Sequence, residues 1–230
     1  MYARTVEGKV LTFGVSGKLV RNSLVMYDRE THSLWSHLTG GAIKGPLKGG
    51  QLEVQTATET TWLSWRQAYP STKVLPHDFP GQTDVYRRYF ANGDAGILGR
   101  KRDDPRLPAK ALVVGVRIMD RPKAYRLAAV MQAGVVNDTV DDVPLALFRT
   151  DGEAASVFRR DVAGQSLTFK ASAGGTVTDI QTNSTWDPVT GRATAGALQG
   201  TSLTPVPATT SFWFGWFDFF PGTELYPPAG

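Results

Sequence analysis

Asp28-Arg29-Glu30-Thr31-His32-Ser33-Leu34-Trp35 returns later in the chain as Asp179-Ile180-Gln181-Thr182-Asn183-Ser184-Thr185-Trp186, with Asp, Thr, Ser and Trp at the same places. Extending the comparison at the constant offset of 151 lays residues 28–75 over 179–226 without a gap, and 17 of 48 positions are identical. Unrelated sequences of ordinary composition would share about three. Upstream the offset grows to 156, pairing Arg4 with Arg160, Val6 with Val162, Gly8 with Gly164 and Leu11-Thr12-Phe13 with Leu167-Thr168-Phe169. The first copy therefore holds five extra residues (156 − 151 = 5) between Phe13 and Asp28. An internal duplication of this kind constrains the fold before any single propensity does.

Each copy reads alike. A Leu-Thr-Phe strand follows a Gly turn, a second strand carries Asp…Thr-x-Ser-x-Trp, and Gly-punctuated turns come next. Trp62, Trp65 and Tyr69 then stand at i, i+3 and i+7, which predicts a short helix with Thr60 as its cap and Pro70 as its stop. Trp213, Trp216 and Phe220 repeat the pattern, with Ser211 as cap and Pro221 as stop. All six tryptophans fall into matched pairs, which predicts that these aromatic faces pack into a core. In so aromatic a stretch some of Phe214, Phe217 and Phe219 must lie off the Trp213/Trp216/Phe220 face, where they are candidates for contact with the other half or another chain.

The second copy also has about 46 residues without a counterpart in the first. Within them, residues 111–119 read as a buried strand, 123–133 as a short helix, and Asn137-Asp138 and Asp141-Asp142 as turns around a strand at 144–148. The predicted fold is β-rich α+β: two pseudo-symmetric halves of short, mostly antiparallel strands, each with one short aromatic helix. Residues 1–75 form the first copy, incomplete at its N-terminus; 76–110 form a linker, and 111–230 the second, complete copy. The incomplete half is expected to leave an open edge or apolar face near 11–13 and 24–26. Native chains seldom leave such an edge bare, so a homodimer or a partner chain is expected to cover it.

Composition excludes several chemistries. The chain has 230 residues, 41 % of them hydrophobic, with 24 Gly, 14 Pro, three His and no Cys. The zero removes disulfides, cysteine-ligated metals and thiol nucleophiles. The longest apolar stretches, 111–119 and 212–220, are far short of the roughly 20 residues of a membrane helix, so no transmembrane segment is expected. Tyr-Ala-Arg-Thr after Met1 is not a leader peptide. The charge balance is 25 Lys+Arg against 21 Asp+Glu, or +4. The basic runs Arg87-Arg88 and Arg100-Lys101-Arg102 interleave with Asp84, Asp94, Asp103 and Asp104, so no nucleic-acid partner is expected.

Leu11-Thr12-Phe13-Gly14-Val15-Ser16-Gly17, then Asn22-Ser23, Val25-Met26-Tyr27-Asp28-Arg29, Ser33-Leu34-Trp35-Ser36 and Leu38-Thr39-Gly40 resemble the hallmark of the bacterial and archaeal family called domain of unknown function 3179 (DUF3179). Gly45-Pro46-Leu47, Trp62 and Trp65, Asp104-Pro105-Arg106-Leu107-Pro108, Val135-Val136-Asn137-Asp138-Thr139 and Phe212-Trp213-Phe214 carry the likeness over nearly the whole chain. The resemblance implies an extracytoplasmic location and brings no established activity. Family members carry a Tyr-Cys-Pro-Leu-Cys motif upstream of Leu-Thr-Phe, in which selenocysteine can replace cysteine. The second copy has Leu147-Phe148-Arg149-Thr150-Asp151-Gly152 at the equivalent place, which offers neither thiol nor metal-ligand chemistry. On one reading, then, the chain is the scaffold part of a larger redox protein whose cysteines lie upstream.

Gly14-Val15-Ser16-Gly17 invites comparison with a hydrolase nucleophile elbow, but Lys18 stands where the last Gly belongs, and a Gly-rich hairpin turn explains it better. The catalytic candidates are Ser16, Asp28 and His32; Asn22, Ser23, Tyr27 and Arg29 are the candidate ligand contacts. Asp28 and Asp179, kept in both copies, are read as turn-bonding devices before acid–base pairs. His32 and His37 are five apart on a strand and should face opposite sides; His77 is isolated. No metal site and no cofactor is therefore expected. The leading functional expectation is a non-catalytic binding or assembly module, and its rival is a hydrolase-type enzyme with its site in the first-copy insertion.

Overall fold

The structure, a computed structural model, describes residues 1–74, 87–99, 102–152, 154–162 and 164–227. His77, Asp84, Arg100 and Lys101 lie outside the described residues. The described helices are α1 (Trp62–Ala68), α2 (Arg87–Ala91), α3 (Leu127–Ala133) and α4 (Trp213–Phe219), with one 3-10 turn at Ala173–Gly175. Strands far outnumber helices and pair almost entirely antiparallel, giving a β-rich α+β fold. No described helix is long and apolar enough to cross a membrane.

The chain forms two compact units. One comprises Met1–Ala57, Gly96–Arg126 and Val206–Gly230; the other comprises Thr58–Ala95 and Leu127–Pro205. Each draws residues from both sequence copies, because each aromatic helix belongs to the unit that holds the other copy's Asp…Trp sheet.

In the first unit, Phe13–Val20, Ser23–Asp28, Leu34–Ser36 and Ala42–Lys44 form a four-stranded meander. Trp35 is fully buried there with Val6, Leu11, Ala42 and Leu52, and Phe13 meets its indole edge-on at 5.7 Å. A second sheet runs Ala208–Phe212, Leu112–Ile118, Arg121–Arg126, Glu224–Tyr226, the last pair parallel. Val113, Val114 and Val116 are buried on the strand predicted at 111–119. Against it lies α4, whose Trp213 and Trp216 are buried with Val113 and Ala124. The approach is close because residue 115 is glycine: a Cβ there would come within 2.2 Å of the Trp216 ring.

In the second unit, Phe169–Ala171, Val177–Asp179, Thr185–Trp186 and Ala193–Ala195 form the same meander around fully buried Trp186. The three-stranded sheet Ala154–Arg159, Val143–Thr150, Val135–Val140 packs Phe148 and Phe158 into that core. Asn137 ties the sheets together: its amide donates to Phe169 O and accepts from Phe169 N, both at 2.8 Å, sealing the edge of the meander.

Several local readings change. Gly14 to Lys18 is strand, and the hairpin turns instead at Arg21-Asn22, both at positive φ (47° and 62°), so the five-residue insertion lengthens one hairpin. Both hairpin residues of a tight turn can be left-handed when the turn must match strand twist. Asn137-Asp138 lies within a strand; only Asp141-Asp142 makes the turn. Residues 123–126 are strand, and the helix begins at Leu127. Leu11 and Val25 are buried, and the exposed apolar side chains of this region include Val10 beside Leu11 and Val15 and Leu19 on the lengthened hairpin.

Candidate functional site

The polar residues shared by the two copies build one device twice. Asp28, fully buried, accepts at Oδ1 from Thr31 N (2.6 Å) and Thr31 Oγ1 (2.8 Å) and at Oδ2 from Trp35 Nε1 (2.8 Å). Asp179, equally buried, accepts from Thr182 N (2.5 Å), Thr182 Oγ1 (2.8 Å), Ser184 N (3.1 Å) and Trp186 Nε1 (2.9 Å). The Ser33 and Ser184 hydroxyls then accept from Leu47 N (3.0 Å) and Leu198 N (2.9 Å). Burial pushes both aspartates up, but the bonds donated by the indole, threonine and serine groups outweigh it, and both carboxyls stay below the usual aspartate range.

Of the candidates unique to the first copy, Ser16, Asn22, Tyr27 and Arg29 are likewise engaged. Ser16 Oγ donates to Val25 O at 2.5 Å and accepts from Lys18 N, holding the register shift between Val15 and Leu19. Asn22 latches a neighbouring loop: its Oδ1 accepts from Leu98 N and its Nδ2 donates to Gly99 O, both at 2.8 Å. Arg29 donates to the Tyr27 hydroxyl (3.0 Å) and lies 5.4 Å from its ring centre. Ser23 closes the hairpin opposite Val20. His32 is exposed at φ 56°, the position of Asn183 (φ 55°) in the second copy, and so serves the turn. His32 N donates to Asp28 O at 3.0 Å within the turn, but among the described residues no side-chain hydrogen bond joins Ser16, Asp28 and His32, and no three His, Asp or Glu side chains gather to hold a metal.

Two cavities escaped the sequence reading. In the first unit, a space of about 210 Å³ is lined by Tyr2, Thr39, Arg117, Met119, Trp216 and Phe220 among others. Burial pushes the Tyr2 phenol up to about 12 against the opposing influence of Arg117, and its hydroxyl lies 2.8 and 2.9 Å from the carbonyls of His37 and Leu38. In the second unit, an open space of about 390 Å³ is lined by Tyr69, Asp187, Thr190, Arg192, Thr194 and Ser202. Thr39 and Thr190, and Phe220 and Tyr69, are equivalent at the offset of 151, so both cavities open at the end of an aromatic helix. Their linings supply hydroxyls and a guanidinium for a polar ligand. Asp187 Oδ1 is bonded by Val189 N, Thr190 N and Thr190 Oγ1, so this carboxylate shapes the turn at the cavity rim.

The two aromatic helices differ where the sequence predicts likeness. Trp213, Phe214 and Trp216 of α4 are buried, Phe217 stacks on Trp213, and Phe219 lies beneath Arg21. On α1 the Trp62 side chain is 52 % exposed, Leu63 58 % and Tyr69 41 %. The expected core packing therefore describes α4 and not α1. The caps also shift by one residue: Thr61 caps α1 by accepting from Ser64 N, and Phe212 stands at the N-cap of α4, where no side chain caps the helix. Thr60 and Ser211, the expected caps, have buried hydroxyls without partners. Ser64, in turn, donates to Asp151 Oδ2.

Compared with known families, residues 1–223 match the model described as "Protein of unknown function (DUF3179)". No curated protein and no solved structure matches the chain.

Proposed function

The chain belongs to the DUF3179 family of proteins of unknown function, and from that premise we propose that it is a non-catalytic binding or assembly module built on an internal duplication. The duplication is supported by the repetition of one hydrogen-bond set, Asp to Thr to Ser to Trp, on two meanders of the same strand order. The observation that carries the functional reading is a contrast. Ser16, Asp28 and Asp179 are committed to backbone, threonine and indole groups, whereas a short helix and its C-cap present Trp62, Leu63 and Tyr69 to solvent. Exposed aromatic clusters of this kind mark interaction surfaces.

The experiment is a hydrolysis panel of ester, amide, phosphomonoester and glycoside chromogenic substrates, run on the full chain and on Ser16→Ala and His32→Ala. No turnover above buffer is expected from any of the three proteins. Turnover that disappears in Ser16→Ala would replace this reading with the hydrolase one.

A further inference from the structure

What covers α4 shows what α1 lacks. Ahead of α4, Ala208–Phe212 pairs antiparallel with Leu112–Ile118, with Thr209 opposite Gly115 and Phe212 opposite Leu112. The pairing continues past the strand, where Trp213 N donates to Ala111 O (2.8 Å) and Phe214 N to Ala109 O (3.0 Å). Arg106 then covers the helix, its guanidinium 5.1 Å from the Trp213 ring and 5.5 Å from the Phe217 ring. At the offset of 151 the equivalent residues are 57–61, Trp62, Leu63 and, for Phe217, Arg66. Residues 58–61 form no strand, and the only bonds to them from elsewhere in the described chain are side-chain to backbone, as from Thr150 Oγ1 to Glu59 O. The indole of Trp65 keeps the tether seen in α4, donating to Thr72 Oγ1 at 3.1 Å as Trp216 does to Thr223 Oγ1 at 2.9 Å. The helix thus keeps the same tether, and among the described residues no strand pairs alongside it.

The occupant cannot simply copy the α4 cover. Arg106 sits between two aromatic rings, and the same place on α1 is flanked by Trp62 and the exposed Arg66. An arginine there would face a second arginine, whereas a carboxylate would pair with it. The strand must also carry glycine or another small residue where Gly115 admits the Trp216 ring, since Trp65 occupies the matching position.

Deepening the assembly reading, on which it rests, we propose that residues 58–66 form a β-strand addition site for an extended segment of another polypeptide. That segment pairs with the edge at 58–61, lays small and apolar side chains over Trp62, Leu63 and Trp65, and sets an acidic residue against Arg66. The chain's own cover strand supplies the probe: a fluorescein-labelled peptide of residues 104–118, and the same peptide carrying R106E, titrated by anisotropy against the full 230-residue chain.

Saturable binding is expected, tighter for the R106E peptide by about fivefold. It should weaken about tenfold or more in Trp62→Ala and in Leu63→Glu, both exposed positions whose substitution leaves the fold intact. A G115V change in the peptide should abolish binding, and Arg66→Glu in the protein should reverse the preference between the two peptides. The absence of saturable binding for both peptides, or binding indifferent to Leu63→Glu, overturns the proposal. So does a dimer of the free chain in light scattering that Leu63→Glu dissociates, because the face would then belong to a second copy. Failure here with a blank hydrolysis panel leaves the non-catalytic reading standing, while turnover in that panel removes the reading itself.

Discussion

The Trp186 indole donates to Asp179 Oδ2 at 2.9 Å with both side chains fully buried. The bond joins a strand-end carboxylate to the largest side chain of the meander core, seven residues on. It serves two needs together: leaving the indole N–H unpaired in an apolar core is costly, and burying the carboxylate without donors is more so.

Replacing Asp179 with alanine orphans the Trp186 N–H and the backbone N–H groups of Thr182 and Ser184. The expected cost is about 3 kcal/mol, the range for breaking a buried network that includes a charged acceptor. For a chain of this size that lowers Tm by roughly 6–12 °C. Asp28→Ala should cost a similar amount, because Trp35 and Thr31 are bonded in the same way. Urea denaturation followed by tryptophan fluorescence measures both, and a loss too small to resolve in either variant would show that the clamp is dispensable.

The same carboxylates set the acid limit of stability. Both are held below the usual aspartate range in the folded chain, so the unfolded chain takes up protons first as pH falls. Their contribution is complete above the unfolded value of about 3.9 and is lost as pH drops through the lower folded values. Urea midpoints should therefore be flat from pH 7 to about 5 and fall steeply below about 4. In Asp179→Asn the fall should be shallower. An unchanged slope in that variant would place the acid sensitivity elsewhere.

The Asp-Thr-Ser-Trp device could be read from sequence because it is local: all its donors lie within seven residues of the carboxylate and recur together in both copies. The aromatic helices could be placed for the same reason. What escaped depends on residues distant in the chain. Trp62 and Trp213 have the same helical position, and their different burial is decided by whether a strand such as Leu112–Ile118 and an Arg106 lie alongside. Asn137 reads as a turn residue by composition, yet its partner Phe169 is 32 residues away. Gly14 and Gly17 resemble a turn in sequence, yet the chain turns at Arg21-Asn22. Gly14 in fact makes room for Tyr27, whose ring would stand 2.7 Å from a Cβ there.

Gly115 tests how α4 is seated. It has no unusual backbone angle, so only space forbids a side chain, and the Trp216 ring fills that space at 2.2 Å from the Cβ position. Gly115→Ala must push the indole off the strand or bend the strand. The expected destabilisation is about 1–3 kcal/mol, the usual cost of overpacking a tight contact. A near-ultraviolet circular dichroism change should accompany it as Trp216 moves. Wild-type stability and an unchanged spectrum would mean that the helix does not lie against this strand.

The one-residue shift in the cap of α1 separates two neighbouring threonines. Thr61 Oγ1 accepts from Ser64 N at 3.3 Å and donates to Ser64 Oγ at 3.1 Å, so Thr61→Ala should lose about 1 kcal/mol, the worth of a helix cap. Thr60 Oγ1 is buried with no partner, so its hydroxyl pays desolvation and gains nothing. Thr60→Val keeps the branched shape and removes the orphaned oxygen; it should leave stability unchanged or raise it by up to about 1 kcal/mol. Ser211→Ala should behave like Thr60→Val, because Ser211 is the equivalent orphan before α4. Parallel urea curves for the three variants decide the matter. If Thr60→Val is the costly substitution and Thr61→Ala the harmless one, the helix starts one residue earlier and the two copies share the cap that their sequences suggest.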